Sequence, residues 1–132
     1  RVRDARVVEL GCGLGIVGIV AAKAGAARAT LVDREPLALH LACSTASVNG
    51  LRVGAPGAED DGDVFAVLGD FCQLPGEQNT TTTHDWLRGL GHADVVLASD
   101  VLYADAKAMD ALAATCAALL EPTAGLALVA DP

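Results

Sequence analysis

The fold is decided by residues 6–18, which read RVVELGCGLGIVG. Residues 6–10 are mostly apolar and predict a strand that runs directly into a glycine turn. Residues 14–24 are small and apolar, have the length of a helix, and end at Gly25, a typical C-terminal glycine. A strand, a glycine turn and a helix in this order expose backbone N–H groups that a ligand can approach closely.

The rest of the chain continues the alternation of strands and helices. Further strands are predicted at residues 29–33, 64–68, 93–98 and 126–130. One helix is predicted to begin at Pro36 and another after Asp105, a good N-cap. The apolar faces expected for these two helices are Leu37, Leu41, Thr45 and Val48, and Met109, Leu112, Ala113, Cys116, Leu119 and Leu120. We therefore predict an α/β fold, a Rossmann-like open parallel sheet with helices on both faces.

Composition narrows the class of protein. The 132 residues favour one domain, 52% of them are hydrophobic and only 3% are aromatic, which suits parallel strands buried by helices. The net charge is −8, and nine Lys and Arg residues are too scattered to form a nucleic-acid-binding face. The four cysteines form no C-x-x-C pair, and no stretch resembles a signal peptide or a membrane span. We expect a cytoplasmic monomer that binds neither nucleic acid nor membrane.

The glycine turn itself allows two interpretations. Residues 13–18 satisfy G-x-G-x-x-G, and Asp33 follows 20 residues after Gly13, as in dinucleotide-binding folds. Glu9 argues against this interpretation, because a carboxylate beside a pyrophosphate is unfavourable, whereas beside a sulfonium and an ammonium group it is useful. Glu9 could instead simply cap or orient the turn. Asp33 suits both interpretations, since its carboxylate can accept hydrogen bonds from both hydroxyls of a ribose.

Two further stretches extend the pattern. Residues 93–103 read ADVVLASDVLY, and residues 47–50 read SVNG. With the E-L-G-x-G-x-G motif at residues 9–15, they make residues 6–132 resemble the seven-strand protein lysine methyltransferases, a family of class I methyltransferases. The resemblance implies S-adenosyl-L-methionine as cofactor and a protein lysine as methyl acceptor. It also implies two later strands that complete the sheet, so we expect residues 1–132 to be one incomplete methyltransferase domain.

The resemblance also assigns roles to residues. It implies that Asp100 and Tyr103 are catalytic and lie beside the transferred methyl group, although they could instead be a helix cap and a core aromatic. Either Asp70, with Phe71 near the ring, or Trp86 is expected to contact the adenine. The residues expected to bind the cofactor are Glu9, Gly11, Cys12, Gly13, Gly15, Asp33, Arg34, Asp70, Phe71, Trp86 and Ser99.

Other functions remain open from the sequence alone. One is a methyltransferase for a small molecule or another side chain. The other is a non-catalytic Rossmann-like module, either NAD-binding or degenerate. The three histidines show no metal-ligand spacing, so no metal site is expected.

Overall fold

The computed structural model describes residues 2–54, 62–72, 85–102 and 106–131, in which strands and helices alternate. The strands are β1 (Arg6–Leu10), β2 (Arg28–Asp33), β3 (Val64–Leu68), β4 (Val95–Ser99) and β5 (Leu126–Ala130). The helices are α1 (Ile16–Lys23), α2 (Pro36–Val48), α3 (Asp85–Leu90) and α4 (Ala106–Leu119). The strands form one parallel sheet in the order β3-β2-β1-β4-β5, so the predicted α/β fold is confirmed.

The three central strands carry the core. Their side chains alternate between the two faces of the sheet, and both faces are covered by helices. On one face, Leu31 packs in a cluster with residues of α1 and α2; on the other, Leu10 and Val96 cluster with residues of α4. These three side chains are almost fully buried, which explains why β1, β2 and β4 read as near-continuous apolar runs.

The strand order creates a crevice at one edge of the sheet. The connection from β1 leads outward to β2 and β3, whereas β4 and β5 lie on the other side of β1. The direction in which successive strands are added to the sheet therefore reverses between β1 and β4, and ligands of open α/β sheets bind at the carboxyl ends of the strands at such a point.

The apolar face predicted for α2 is wrong. Leu37, Leu41 and Val48 are exposed, with 68%, 42% and 84% of their surface accessible, and Thr45 is only partly buried. The helix instead buries Leu39, Ala42 and Ala46 against the sheet. Both faces of this helix are apolar, so periodicity alone could not choose between them. The face with the smaller side chains is buried because its alanines let the helix backbone approach the strands closely.

Smaller differences occur elsewhere. On α4, Ala113 is exposed, and the buried face includes Ala108, Ala111 and Thr115 instead. Helix α3 was not predicted, since it is only six residues long and contains Gly89. The predicted Asp105 cap lies outside the described residues. Within the described parts of the chain, no helix combines the length and apolarity needed to cross a membrane.

The packing of α2 can be tested with two substitutions. Ala42→Leu forces three further carbon atoms into a fully buried site and should lower the free energy of unfolding by about 1–3 kcal/mol. Leu37→Ala removes an exposed side chain and should change it by less than about 0.5 kcal/mol. Urea denaturation of both variants measures the difference. A larger loss for Leu37→Ala would restore the face predicted from periodicity.

Candidate functional site

A cavity of about 390 Å³ lies at the carboxyl ends of the strands. Its lining comes from four chain segments, one at the carboxyl end of each strand from β1 to β4. These are residues 11–13, 33–34, 69–72 and 99–101. The volume is in the range typical of sites for small molecules and cofactors, and the position matches the crevice between β1 and β4.

Most of the residues predicted for the site line this cavity. They are Gly11, Cys12, Gly13, Asp33, Arg34, Asp70, Phe71, Ser99 and Asp100. Glu9, Gly15 and Trp86 are not among the described residues that line it, and Tyr103 lies outside the described residues. Sequence reasoning missed Gly69, Cys72 and Val101, although each directly adjoins a predicted residue at a strand end.

The glycines of the turn meet a conformational requirement. Gly11, Gly13 and Gly15 have φ angles of 66°, 51° and 72°, in the left-handed region that favours glycine. A Cβ at Gly15 would lie 2.7 Å from Leu31 Cδ1, so packing as well as φ excludes a side chain there. The turn can therefore follow β1 tightly enough to bring its backbone to the cavity.

Asp33 ties this turn to the end of β2. Its Oδ2 accepts a hydrogen bond from the Gly13 N–H at 2.9 Å, and its Oδ1 accepts one from the Glu35 N–H at 2.9 Å. Each carboxylate oxygen has further lone-pair capacity. The two bonds thus fix a carboxylate on the cavity wall that can still accept hydrogen bonds from a ligand.

Glu9 faces the start of α1. Glu9 is only 3% exposed, and its Oε2 accepts a hydrogen bond from the Gly18 N–H at 2.8 Å. The pKa of Glu9 is raised to about 7, mainly because the carboxyl group is buried; backbone hydrogen bonds from Gly18 and Val17 act against this increase, and the negative charge of Asp33 adds to it. The carboxyl group occupies the positive end of the helix, where a pyrophosphate sits in dinucleotide-binding folds.

Other donors of the turn are also occupied. The Cys12 N–H donates to the Val32 carbonyl at 3.0 Å, and the Gly15 N–H to the Cys12 carbonyl at 2.7 Å. With the bonds from Gly13 and Gly18, four N–H groups of the glycine turn already have acceptors within the chain. This geometry disfavours the dinucleotide interpretation, which needs such groups for phosphate oxygens.

The charges around the cavity favour a cationic ligand. Of the described residues, Asp33, Asp70 and Asp100 line it together with a single basic residue, Arg34, which lies 4.0 Å from the carboxylate of Glu35. A group of carboxylates around one small cavity attracts positive charge and repels phosphate.

Asp100 has an unusual backbone. Its φ angle of 56° lies in the left-handed region, where residues other than glycine are uncommon, and its N–H donates to the Ala130 carbonyl at 2.9 Å. Such conformations cluster at ligand-binding sites, where the surrounding structure holds them in place. The bond to the end of β5 supplies that support here.

Aromatic and sulfur side chains complete the surroundings. Phe71 is buried beside Gly11, where a Cβ would lie 3.2 Å from the ring. The ring of Trp86 packs against Gly69, and its buried Nε1 has no acceptor among the described residues. Burial, with the charges of Glu9 and Asp33, raises the pKa of the Cys12 thiol to about 12, so this cysteine stays protonated and is a poor nucleophile.

Comparison with known proteins agrees with this geometry. The family model "Methyltransferase small domain" matches residues 1–66. The ribosomal protein L11 methyltransferase of Bordetella parapertussis is 36% identical over 73 residues, which cover 54% of this chain and 24% of that protein. The enzyme of the same name from Syntrophomonas wolfei is 44% identical over 46 residues, which cover 35% of this chain and 15% of that protein.

Solved structures share the fold. Magnesium protoporphyrin IX methyltransferase from Synechocystis, with bound S-adenosylhomocysteine, superimposes with a TM-score of 0.64 at 21% identity, covering 92% of this chain and 45% of that one. Ribosomal protein L11 methylase from Lactobacillus delbrueckii gives a TM-score of 0.62 at 19% identity, covering 95% and 50%. The chain thus spans a quarter or less of these curated relatives and about half of these solved structures.

The family match covers the part of the chain that carries the glycine turn. Residues 1–66 are half of the chain and include β1, α1, β2 and α2, with both Glu9 and Asp33. The methyltransferase interpretation of the turn is thereby confirmed over the dinucleotide one. From this match, and from a fold and a turn geometry that agree with it, we conclude that the chain belongs to the methyltransferase small domain family.

Proposed function

We propose that this chain binds S-adenosyl-L-methionine in the cavity at the ends of β1 to β4 and transfers the methyl group to a lysine side chain of a protein. The observation that carries the proposal is that Asp33, Asp70 and Asp100 line one cavity, beside a helix start already filled by Glu9. This arrangement suits a cationic donor and a cationic acceptor and does not suit phosphates.

The residues present fit this cofactor. The donor carries a sulfonium and an ammonium group, which the acidic cavity stabilises, and a ribose whose two hydroxyls match the fixed carboxylate of Asp33. Asp70 or Trp86 is proposed to contact the adenine; of these two, Asp70 lines the cavity. When bound, the donor supplies an electrophilic methyl group. Solved structures of the same fold contain S-adenosylhomocysteine, which supports the assignment.

The acceptor must lose a proton before it can react. An ordinary lysine has a pKa of about 10.4, so the neutral amine at pH 7 costs about 4.6 kcal/mol. We propose that Asp100 binds the arriving ammonium group at the edge of the cavity and holds the nitrogen in line with the methyl group once its proton has left to solvent. Tyr103 is proposed to align the amine. Positioning and exclusion of water then supply most of the catalysis.

A protein acceptor has further support. The relatives that match in sequence are named as methyltransferases of ribosomal protein L11, so their named substrate is a protein. For this chain the protein substrate, and lysine as the methylated residue, are therefore proposals.

The ribose contact is tested by Asp33→Ala. Loss of two hydrogen bonds to a charged acceptor should weaken binding of S-adenosylhomocysteine at least about tenfold, as measured by calorimetry. Glu35→Ala is the matched control, because it removes the same charge two residues away while the backbone N–H that bonds Asp33 remains. Equal affinities for the two variants would remove Asp33 from the binding site.

The catalytic assignment is tested by Asp100→Asn. Asparagine tolerates the left-handed backbone, so the fold should be kept while the charge is lost. Methylation of protein lysine should fall at least about tenfold, and by more than the affinity for the cofactor falls. Asp110→Asn on the exposed side of α4 is the control. Unchanged turnover would make Asp100 a structural residue.

The acceptor class is tested with a donor that carries a radiolabelled methyl group. Incubation with a cell lysate should label a protein band, and mass spectrometry of that band should place the methyl group on a lysine. Label found only in small molecules, or on another side chain, would contradict the lysine assignment while leaving the cofactor assignment intact.

A further inference from the structure

Glu9 is buried next to the cofactor turn without lining the cavity. It is the second-last residue of β1, two residues before the segment 11–13 that forms one wall, and its Oε2 accepts a hydrogen bond from the Gly18 N–H at 2.8 Å. The residue is 3% exposed and forms no ion pair with a described lysine or arginine. Among the described residues, backbone N–H groups of α1 are the groups that balance its negative charge.

The contact between Glu9 and Gly18 closes a loop around the turn. It joins the last residues of β1 to the first turn of α1, and the residues between them include the cavity wall. A Cβ at Gly18 would lie 2.8 Å from Oε2, so the carboxyl group occupies the space that a side chain would need. Asp33 holds the same turn from β2 through Gly13. The shape of the wall thus depends on how firmly Glu9 holds α1.

The surroundings of Glu9 bring its pKa close to neutral pH. From α1 it receives the N–H groups of Gly18 and Val17; from β2 the carboxylate of Asp33 acts against its negative charge. The Cys12 thiol in the turn stays neutral, and β4 places the apolar Leu97 opposite Glu9 in the sheet. Since the pKa of Glu9 is about 7, the free protein contains both the protonated and the ionised form near neutral pH.

We propose that Glu9 is a positioning residue whose ionised carboxylate sets the glycine turn for the methyl donor, so that binding of the donor is coupled to release of the Glu9 proton. An ionised carboxylate accepts hydrogen bonds with both oxygens, whereas a protonated one needs an acceptor for its own hydroxyl and holds the helix start less firmly. The positive charge of a bound donor also favours the ionised form. This inference rests on the proposed cofactor and is independent of the proposed lysine acceptor.

The sign of the effect follows from linkage. A ligand that prefers the ionised form lowers the pKa of Glu9, and its affinity rises with pH until the carboxyl group of the free protein is fully ionised. If binding lowers that pKa by about two units, the affinity for S-adenosylmethionine rises about tenfold between about pH 6 and pH 8.

The matched variant is Glu9→Gln, which keeps the shape and an acceptor oxygen for Gly18 but cannot ionise. Dissociation constants of S-adenosylmethionine are measured by calorimetry for both proteins across this pH range, in two buffers of different ionisation enthalpy. Any ionisation of S-adenosylmethionine itself contributes equally to the wild-type and variant measurements, so it cancels in their ratio. We expect the ratio of wild-type to variant affinity to increase about tenfold with pH, and about half a proton to be released by the wild type alone near pH 7.

Parallel pH profiles for the two proteins would overturn the inference, and they would do so without affecting the cofactor assignment. A second measurement covers the case in which Glu9→Gln does not fold. Nuclear magnetic resonance of the Glu9 carboxyl carbon follows its titration in the wild-type protein with and without S-adenosylmethionine. The inference requires a lower pKa in the complex, and an unchanged or higher value would contradict it.

Discussion

The site depends on one interaction, the hydrogen bond from the Gly18 N–H to the buried carboxyl group of Glu9. The start of a helix is ordinarily a good place for a phosphate, because its free N–H groups and its dipole attract negative charge. Here the chain fills that place with its own carboxyl group. The same glycine spacing that serves dinucleotides elsewhere therefore produces a site that stabilises positive charge.

The parallel sheet supplies the rest of the site. Asp33, Asp70 and Asp100 are far apart in sequence but lie at the carboxyl ends of β2, β3 and β4, which meet at one edge of the sheet. Right-handed connections and a strand order that reverses beside β1 leave a crevice between these ends. Because the core is closely packed, it fixes the position of each strand end. The loops that follow the strands hold functional side chains on this rigid scaffold.

Much of this arrangement could be predicted from the sequence. Short apolar strands that end in an acid or a glycine, as at Asp33, predict both the sheet and the edge where the cavity lies. The orientation of the Glu9 side chain could not be predicted, because the sequence pattern does not say whether the carboxylate points toward a ligand or toward the start of α1. The buried face of α2 was predicted wrongly, because leucines on one face and alanines on the other are both apolar. Val101 was missed because an apolar residue next to Asp100 carries no chemical signal.

The central claim is that a helix start occupied by Glu9 selects a cationic nucleoside donor over a dinucleotide. Thermal unfolding with S-adenosylhomocysteine and, separately, with NAD compares two ligands that share an adenosine and differ in whether they carry a pyrophosphate. We predict that S-adenosylhomocysteine raises the midpoint of unfolding in proportion to its affinity, while NAD at the same concentration leaves it unchanged. Stabilisation by NAD without stabilisation by S-adenosylhomocysteine would contradict this account.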